Sequence, residues 1–195
     1  MSPLLAFDLM GTLLSDPYWE ALEAATKRAS ADLETLGFRE PYHQLECGNL
    51  TEAAYWEFFR CQGVNVDVQQ FHRVRASGYS WLGGMRELLS NHSATFRTVI
   101  ASNYPNWIEE IRAEMFTELD VGWYASCQHG ERKPAPAFFE GLCAEYGVGI
   151  RDLILIDDKK PNVDSVCAMG GKGIVFISAE DTAVQLAKIV KELDS

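Results

Sequence analysis

Five short apolar runs, each ending on a polar residue, restrict what this chain can fold into more than any other feature. Leu4 to Phe7 stops at Asp8, with Gly11 and Thr12 close behind, and Thr98 to Ala101 stops at Ser102 and Asn103. Val121 to Ala125 stops at Ser126, Leu153 to Ile156 at Asp157 and Asp158, and Gly173 to Ile177 at Ser178. A run that is apolar at every position has no solvent face, so it fits a parallel sheet covered on both sides. The segments that follow the later runs carry apolar residues at three- and four-residue spacing instead: Ile108, Ile111 and Met115; Phe138, Leu142 and Tyr146; Leu186, Val190 and Leu193. Strand and helix therefore alternate from 98 to 195. That is the pattern of an α/β fold with a doubly wound parallel sheet and right-handed crossovers.

Between the first run and the second lies an interval without a convincing strand. After Pro17, the stripe Leu22, Ala25, Ala29, Leu33 and Leu36 predicts one helix. Thr51 is a candidate N-cap for a second, followed by Glu52, Tyr55, Trp56 and Phe59. Phe71 and Val74 suggest a third, and Leu82 to Leu89 a fourth. The expected organisation is a core made of residues 1–13 and 91–195, with an all-helical insert over 14–90. A chain of 195 residues suits one domain with such an insert.

Lys and Arg number 17 against 28 Asp and Glu, a net charge of −11. Neutralising phosphates along a nucleic acid takes a basic surface, so nucleic acid is not the expected partner. The five cysteines, Cys47, Cys61, Cys127, Cys143 and Cys167, form no C-x-x-C pair and read as reduced thiols. No basic residue precedes the short apolar run at the start, and no stretch approaches a membrane span. The expectation is a cytoplasmic protein without secretory leader or membrane partner.

In a sheet of this kind ligands bind beyond the carboxyl ends of the strands. The polar residues there are Asp8, Ser102, Asn103, Asp157 and Asp158. Three carboxylates on one rim repel one another unless a cation lies among them, and hard oxygen ligands suit Mg²⁺. Strand-terminal Ser and Asn also cap helices, so Ser102 and Asn103 have a purely structural reading as well.

Four stretches together resemble the four motifs of the haloacid dehalogenase superfamily. They are Phe7-Asp8-Leu9-Met10-Gly11-Thr12-Leu13, Val99-Ile100-Ala101-Ser102-Asn103, the segment from Gly130 through Arg132-Lys133-Pro134 to Phe138, and Leu155 through Asp157-Asp158 to Val163. Their order and spacing agree across essentially the whole chain. The resemblance implies that Asp8 is a nucleophile forming an aspartyl-phosphate, that Ser102 and Asn103 with Gly11 and Thr12 bind the phosphoryl group, and that Lys133 neutralises it. It also implies Mg²⁺ held by Asp8, the Met10 carbonyl and Asp157, with Asp158 in support through water or Lys133. The helical insert is similar to the family's cap, in which Trp19, His43, Tyr55, Trp56, Phe59 and His72 are candidates for substrate contact or for plain packing. Lys159 and Lys160 read as solvated charges.

Met10 departs from the family pattern. Phosphatases of the family carry Asp at that position as the general acid and base, and a thioether can neither give nor take a proton. Three readings follow: a Mg²⁺-dependent phosphatase of a small phosphorylated metabolite, a silent phosphate- and metal-binding or regulatory protein, and a metal-independent 2-haloacid dehalogenase. The Asp157-Asp158 pair favours the first, because the dehalogenase branch works without metal. Asp16, Tyr104 and His129 are the candidates for a replacement acid.

Overall fold

The structure, a computed structural model, describes residues 3–193. Its centre is a five-stranded, all-parallel sheet in the order β3-β2-β1-β4-β5. The strands are β1 (Leu4–Phe7), β2 (Arg97–Ser102), β3 (Gly122–Ala125), β4 (Leu153–Asp157) and β5 (Lys172–Val175). Strand order reverses between β1 and β4, which opens a crevice at their carboxyl ends.

Side chains alternate across the sheet, so each strand feeds two cores. Leu4, Ala6, Val99, Ala101, Leu153 and Leu155 point to a layer closed by α9 (Pro136–Tyr146) and α10 (Lys160–Ala168). Leu5, Phe7, Ile100, Ile154, Ile156 and Ile174 point to the opposite face. That face is covered by α6 (Met85–Ser93), α7 (Ile108–Met115) and α11 (Ala179–Leu193). The doubly wound arrangement read from the apolar runs is the one the chain adopts.

The interval between β1 and β2 holds helices joined by loops, with isolated bridges from Leu14 to Met10 and to Trp81 but no strand. It holds α1 (Tyr18–Thr26), α2 (Ser30–Glu34), α3 (Arg39–Glu46), α4 (Glu52–Cys61), α5 (Val68–Gly78) and then α6. Helices α1 and α5 pack on each other, while α6 turns back to lie against β2 and α11. Thr51 does cap α4, accepting the Ala54 N–H at 3.2 Å.

Three local readings differ from the structure. The stripe from Leu22 to Leu36 is two helices, not one, because Lys27 enters the left-handed region at φ 59°. The Thr26 hydroxyl bonds back to the Leu22 carbonyl, and the Glu23 carboxylate takes the Ser30 N–H, so side chains satisfy backbone groups that a continuous helix would have used. Strand β5 ends at Val175 rather than Ile177, since its only neighbour β4 ends at Asp157 and the last N–H to pair is that of Phe176. Ile177 is left 75% exposed. Helix α3 has no counterpart in the sequence reading: its apolar stripe is only Phe38, Tyr42 and Leu45, too short to mark a helix beside Pro41, which is tolerated because it sits in the first turn.

Candidate active site

The carboxyl ends of β1, β2 and β4 bring three motifs into contact. Asp8 continues β1 by donating its N–H to the Ile156 carbonyl at 2.8 Å, which sets it beside Asp157 at the end of β4. Lys133 lies between them, 1% exposed. Its Nζ is 2.7 Å from Asp8 Oδ1, from Asp157 Oδ2 and from the Ala101 carbonyl. All three ammonium protons are therefore directed.

Two members of the trio are held from outside as well. Asn103 brackets the Lys133 backbone, accepting its N–H and donating to its carbonyl, both at 2.8 Å. Asn162 donates to both oxygens of Asp157 at 2.9 Å, and the Lys159 N–H adds a third bond at 2.8 Å. Burial pushes the Asp8 carboxyl up to about 7 against the pull of Lys133, with Asp157 raising it further. For Lys133 burial works against the charge, but the carboxylates of Asp8 and Asp157 outweigh it and hold the ammonium above its usual range.

Gly11 is fixed by two constraints at once. Its φ is 82°, and a Cβ there would stand 2.8 Å from Asp158 Oδ2. The Thr12 hydroxyl accepts the Asp158 N–H at 3.0 Å, and Thr12 is fully buried. Gly11 lines the cavity above the trio, whereas Thr12 does not. The Thr12 side chain ties the first motif to the fourth, and Ser102, also buried, is likewise not part of the cavity lining. Asp158 pairs with Lys159 at 2.6 Å rather than with Lys133; Lys159 is 71% exposed, as a solvated charge is, and also lines the cavity.

Two buried polar atoms in this region have no partner among the described residues, Ser102 Oγ and Asp158 Oδ1. Native structures seldom leave such atoms unsatisfied, so both read as places for a ligand. One oxygen from each of Asp8, Asp157 and Asp158 lies within 4.8 Å of the others. Hard carboxylate oxygens at that spacing fit a Mg²⁺ ion.

The cavity measures about 220 Å³. Asp8, Met10, Asn103, Lys133 and Asp158 line it from the core, and Asp16 and Glu46 from the helical insert. Glu46, the last residue of α3, was missed by sequence reasoning. Its oxygen Oε2 is held at 3.0 Å by both Nε and a terminal nitrogen of Arg132. Burial drives its carboxyl up to about 7, opposed by Arg132. No local pattern flags a glutamate at the end of an unpredicted helix.

Of the other candidate acids, Tyr104 is buried with its hydroxyl on Tyr79, and His129 stacks on Tyr124 and pairs with Glu145. Neither lines the cavity. Nor do Trp19, His43, Tyr55, Trp56, Phe59 or His72; Tyr55 and Phe59 are core, and Trp56 and His72 share the Glu52 carboxylate.

Comparison with known proteins identifies the family and the fold. No family model matches the chain. Flavin mononucleotide hydrolase 1 of the Arabidopsis thaliana chloroplast is 30% identical over 189 residues, covering 96% of this chain and 77% of that protein. The chain belongs to the haloacid dehalogenase superfamily. A haloacid dehalogenase family enzyme from Bacteroides thetaiotaomicron superposes with a TM-score of 0.79 at 17% identity, covering 95% of this chain and 98% of that one. Its complex with magnesium and inorganic phosphate gives 0.76, again at 17% identity, over 91% and 96% of the two chains. The L-2-haloacid dehalogenase of Xanthobacter autotrophicus scores lower, 0.65 at 16% identity over 96% and 83%. These solved structures share the superfamily fold with this chain.

Both Asp8 and Glu46 have carboxyls raised from their ordinary values to about 7. Between the unfolded pKa near ~4 and that value the folded state binds more protons than the unfolded chain, so these groups make stability fall as pH rises. Chemical denaturation of the metal-free protein should give a higher midpoint at pH 5.5 than at pH 8, and Asp8→Asn should flatten the difference. A midpoint that rises across this window would contradict the electrostatics described.

Proposed function

We propose that the chain is a Mg²⁺-dependent phosphatase that hydrolyses the monoester of a small phosphorylated metabolite through an aspartyl-phosphate on Asp8. The observation that carries this reading is the buried Lys133 bridging Asp8 and Asp157 beneath a cavity, with the Ser102 hydroxyl unpartnered beside them. Lys133 orients Asp8 and opposes the burial that raises its carboxyl, favouring the ionised form a nucleophile requires. The Ser102 Oγ donates to a phosphoryl oxygen, and Asn103 fixes Lys133 by its two backbone bonds. Asp8, the Met10 carbonyl and Asp157 hold the metal, and Asp158 supports it through its free oxygen. When bound, Mg²⁺ supplies positive charge to the transferring group. Helices α1 to α5, whose segment contributes Asp16 and Glu46 to the cavity lining, act as the cap that excludes water, while α6 belongs to the core. Five free thiols suit a reducing compartment, in keeping with a cytoplasmic location.

The Arabidopsis relative is named for flavin mononucleotide, so that ester is the first to test. A cavity of about 220 Å³ is smaller than the roughly 300–1,000 Å³ that encloses a drug-sized ligand. It takes the phosphoryl end and the first atoms beyond it, so a flavin would need the cap to open. Phosphate release should be measured from flavin mononucleotide, sugar phosphates and an aryl phosphate, in Mg²⁺ and in EDTA. Metal-dependent release supports the reading. Binding of phosphate and Mg²⁺ without release from any ester would instead make this a silent member, and metal-free halide release from a 2-haloacid would make it a dehalogenase.

Metal binding has its own readout in stability. At pH 8, Mg²⁺ at a hundredfold over its Kd should stabilise the fold by about 2.7 kcal/mol. At pH 5.5 the gain should shrink, because the ligands must lose protons to bind. An equal gain with Asp157→Ala would remove that residue from the site.

A further inference from the structure

The first motif lacks its acid, yet the cavity does not. Met10 from the core and Glu46 from the cap both line it. We propose that Glu46 is the general acid and base of this enzyme, delivered by the cap in place of the residue missing at Met10. The inference rests on the phosphatase reading above and assigns one of its steps.

The position is built rather than incidental. Ser126, at the start of α8 (Ser126–His129) on the end of β3, donates its hydroxyl to the Glu46 carbonyl at 2.5 Å, pinning the end of α3 to the core. Arg132 donates Nε–H to Oε2 and brings a second guanidinium nitrogen to 3.0 Å from the same oxygen, and Oε1 has no hydrogen-bond partner among the described residues. Arg132 is the immediate neighbour of Lys133, so one short segment sets both the cation beside the nucleophile and the orientation of the acid. The Glu46 side chain is only 8% exposed. A carboxyl that titrates near neutrality can carry a proton to a leaving group and then remove one from water. Asp16 is the other cap acid on the cavity, and its surroundings also raise its carboxyl, but it is the more solvent-exposed of the two and its Oδ1 is taken by the Tyr18 N–H, which favours the ionised form.

In the first step an Asp8 oxygen forms a bond to phosphorus and the P–O bond to the alcohol breaks. The departing oxygen keeps that electron pair and receives the Glu46 proton. In the second, Glu46 takes a proton from water as the water oxygen bonds to phosphorus, and the Asp8–phosphorus bond breaks to return the carboxylate. Glu46 ends protonated, as it began.

Glu46→Gln tests this, since the amide oxygen still accepts from Arg132 and the fold should hold. Single-turnover release of the alcohol from an alkyl phosphate should fall by about 10²-fold or more, while release of a phenolate that leaves without a proton should change much less. Adding Met10→Asp to Glu46→Gln should then restore alkyl ester release, a rescue that a merely structural role for Glu46 would not show. Equal losses with both esters, no loss with either, or an alkyl-selective loss in Asp16→Asn instead would overturn the assignment. Wild-type release from aryl but not alkyl esters would overturn it while leaving the phosphatase intact. Release from neither would remove both.

Discussion

Asp8→Asn is expected to eliminate phosphate release from every ester, by about 10⁴-fold or more, as losses of a nucleophile commonly do. The substitution is nearly isosteric, and the amide oxygen can still accept from Lys133 Nζ, now 2.7 Å from Asp8 Oδ1. The protein should therefore fold, and at pH 8 without metal it should be no less stable than the parent, because a desolvated carboxylate has been removed. What is lost is the negative oxygen that attacks phosphorus. Acid-quenched wild-type enzyme should carry phosphate on the chain during turnover, and the Asn variant none. Retention of activity within tenfold, or wild-type turnover with no phosphorylated chain, would show that water attacks directly and that Asp8 serves only the metal.

The fold was legible where burial is two-sided and illegible where it is local. The runs at Leu4, Thr98 and Leu153 have a side chain packed on each face of the sheet, so composition alone marks them. The end of β5 depends instead on where its partner β4 stops, and the break after Thr26 depends on two side-chain bonds. Neither leaves a trace in hydropathy. The candidate site divides in the same way. Asp8, Asp157 and Lys133 sit in recognisable motifs, although Lys133 reaches Asp8 across 125 residues of sequence. Glu46 sits in none. Its proximity to Arg132, 86 residues away, follows from the docking of α3 on α8, which only the folded chain displays.

Lys133→Met should have the second-largest effect, and it separates the two jobs of that ammonium. Methionine is close in volume and can fill a site that is 1% exposed, but it leaves Asp8 and Asp157 facing each other without the cation that bonds both. Removing one partner of a buried ion pair typically costs roughly 3–5 kcal/mol. Here one carboxyl can take up a proton instead, so the loss of stability should be greater at pH 8 than at pH 5.5. Mg²⁺ brings positive charge to the same carboxylates, and saturating metal should recover part of the loss at pH 8. Activity should not recover with it. First-product release should remain down by about 10²–10³-fold even in saturating Mg²⁺, the usual cost of losing a preorganised donor to developing charge. If metal restored stability and rate together, Lys133 would be only a counter-ion for the two carboxylates. If neither stability nor rate moved, the bridge between Asp8 and Asp157 would carry no weight in this enzyme.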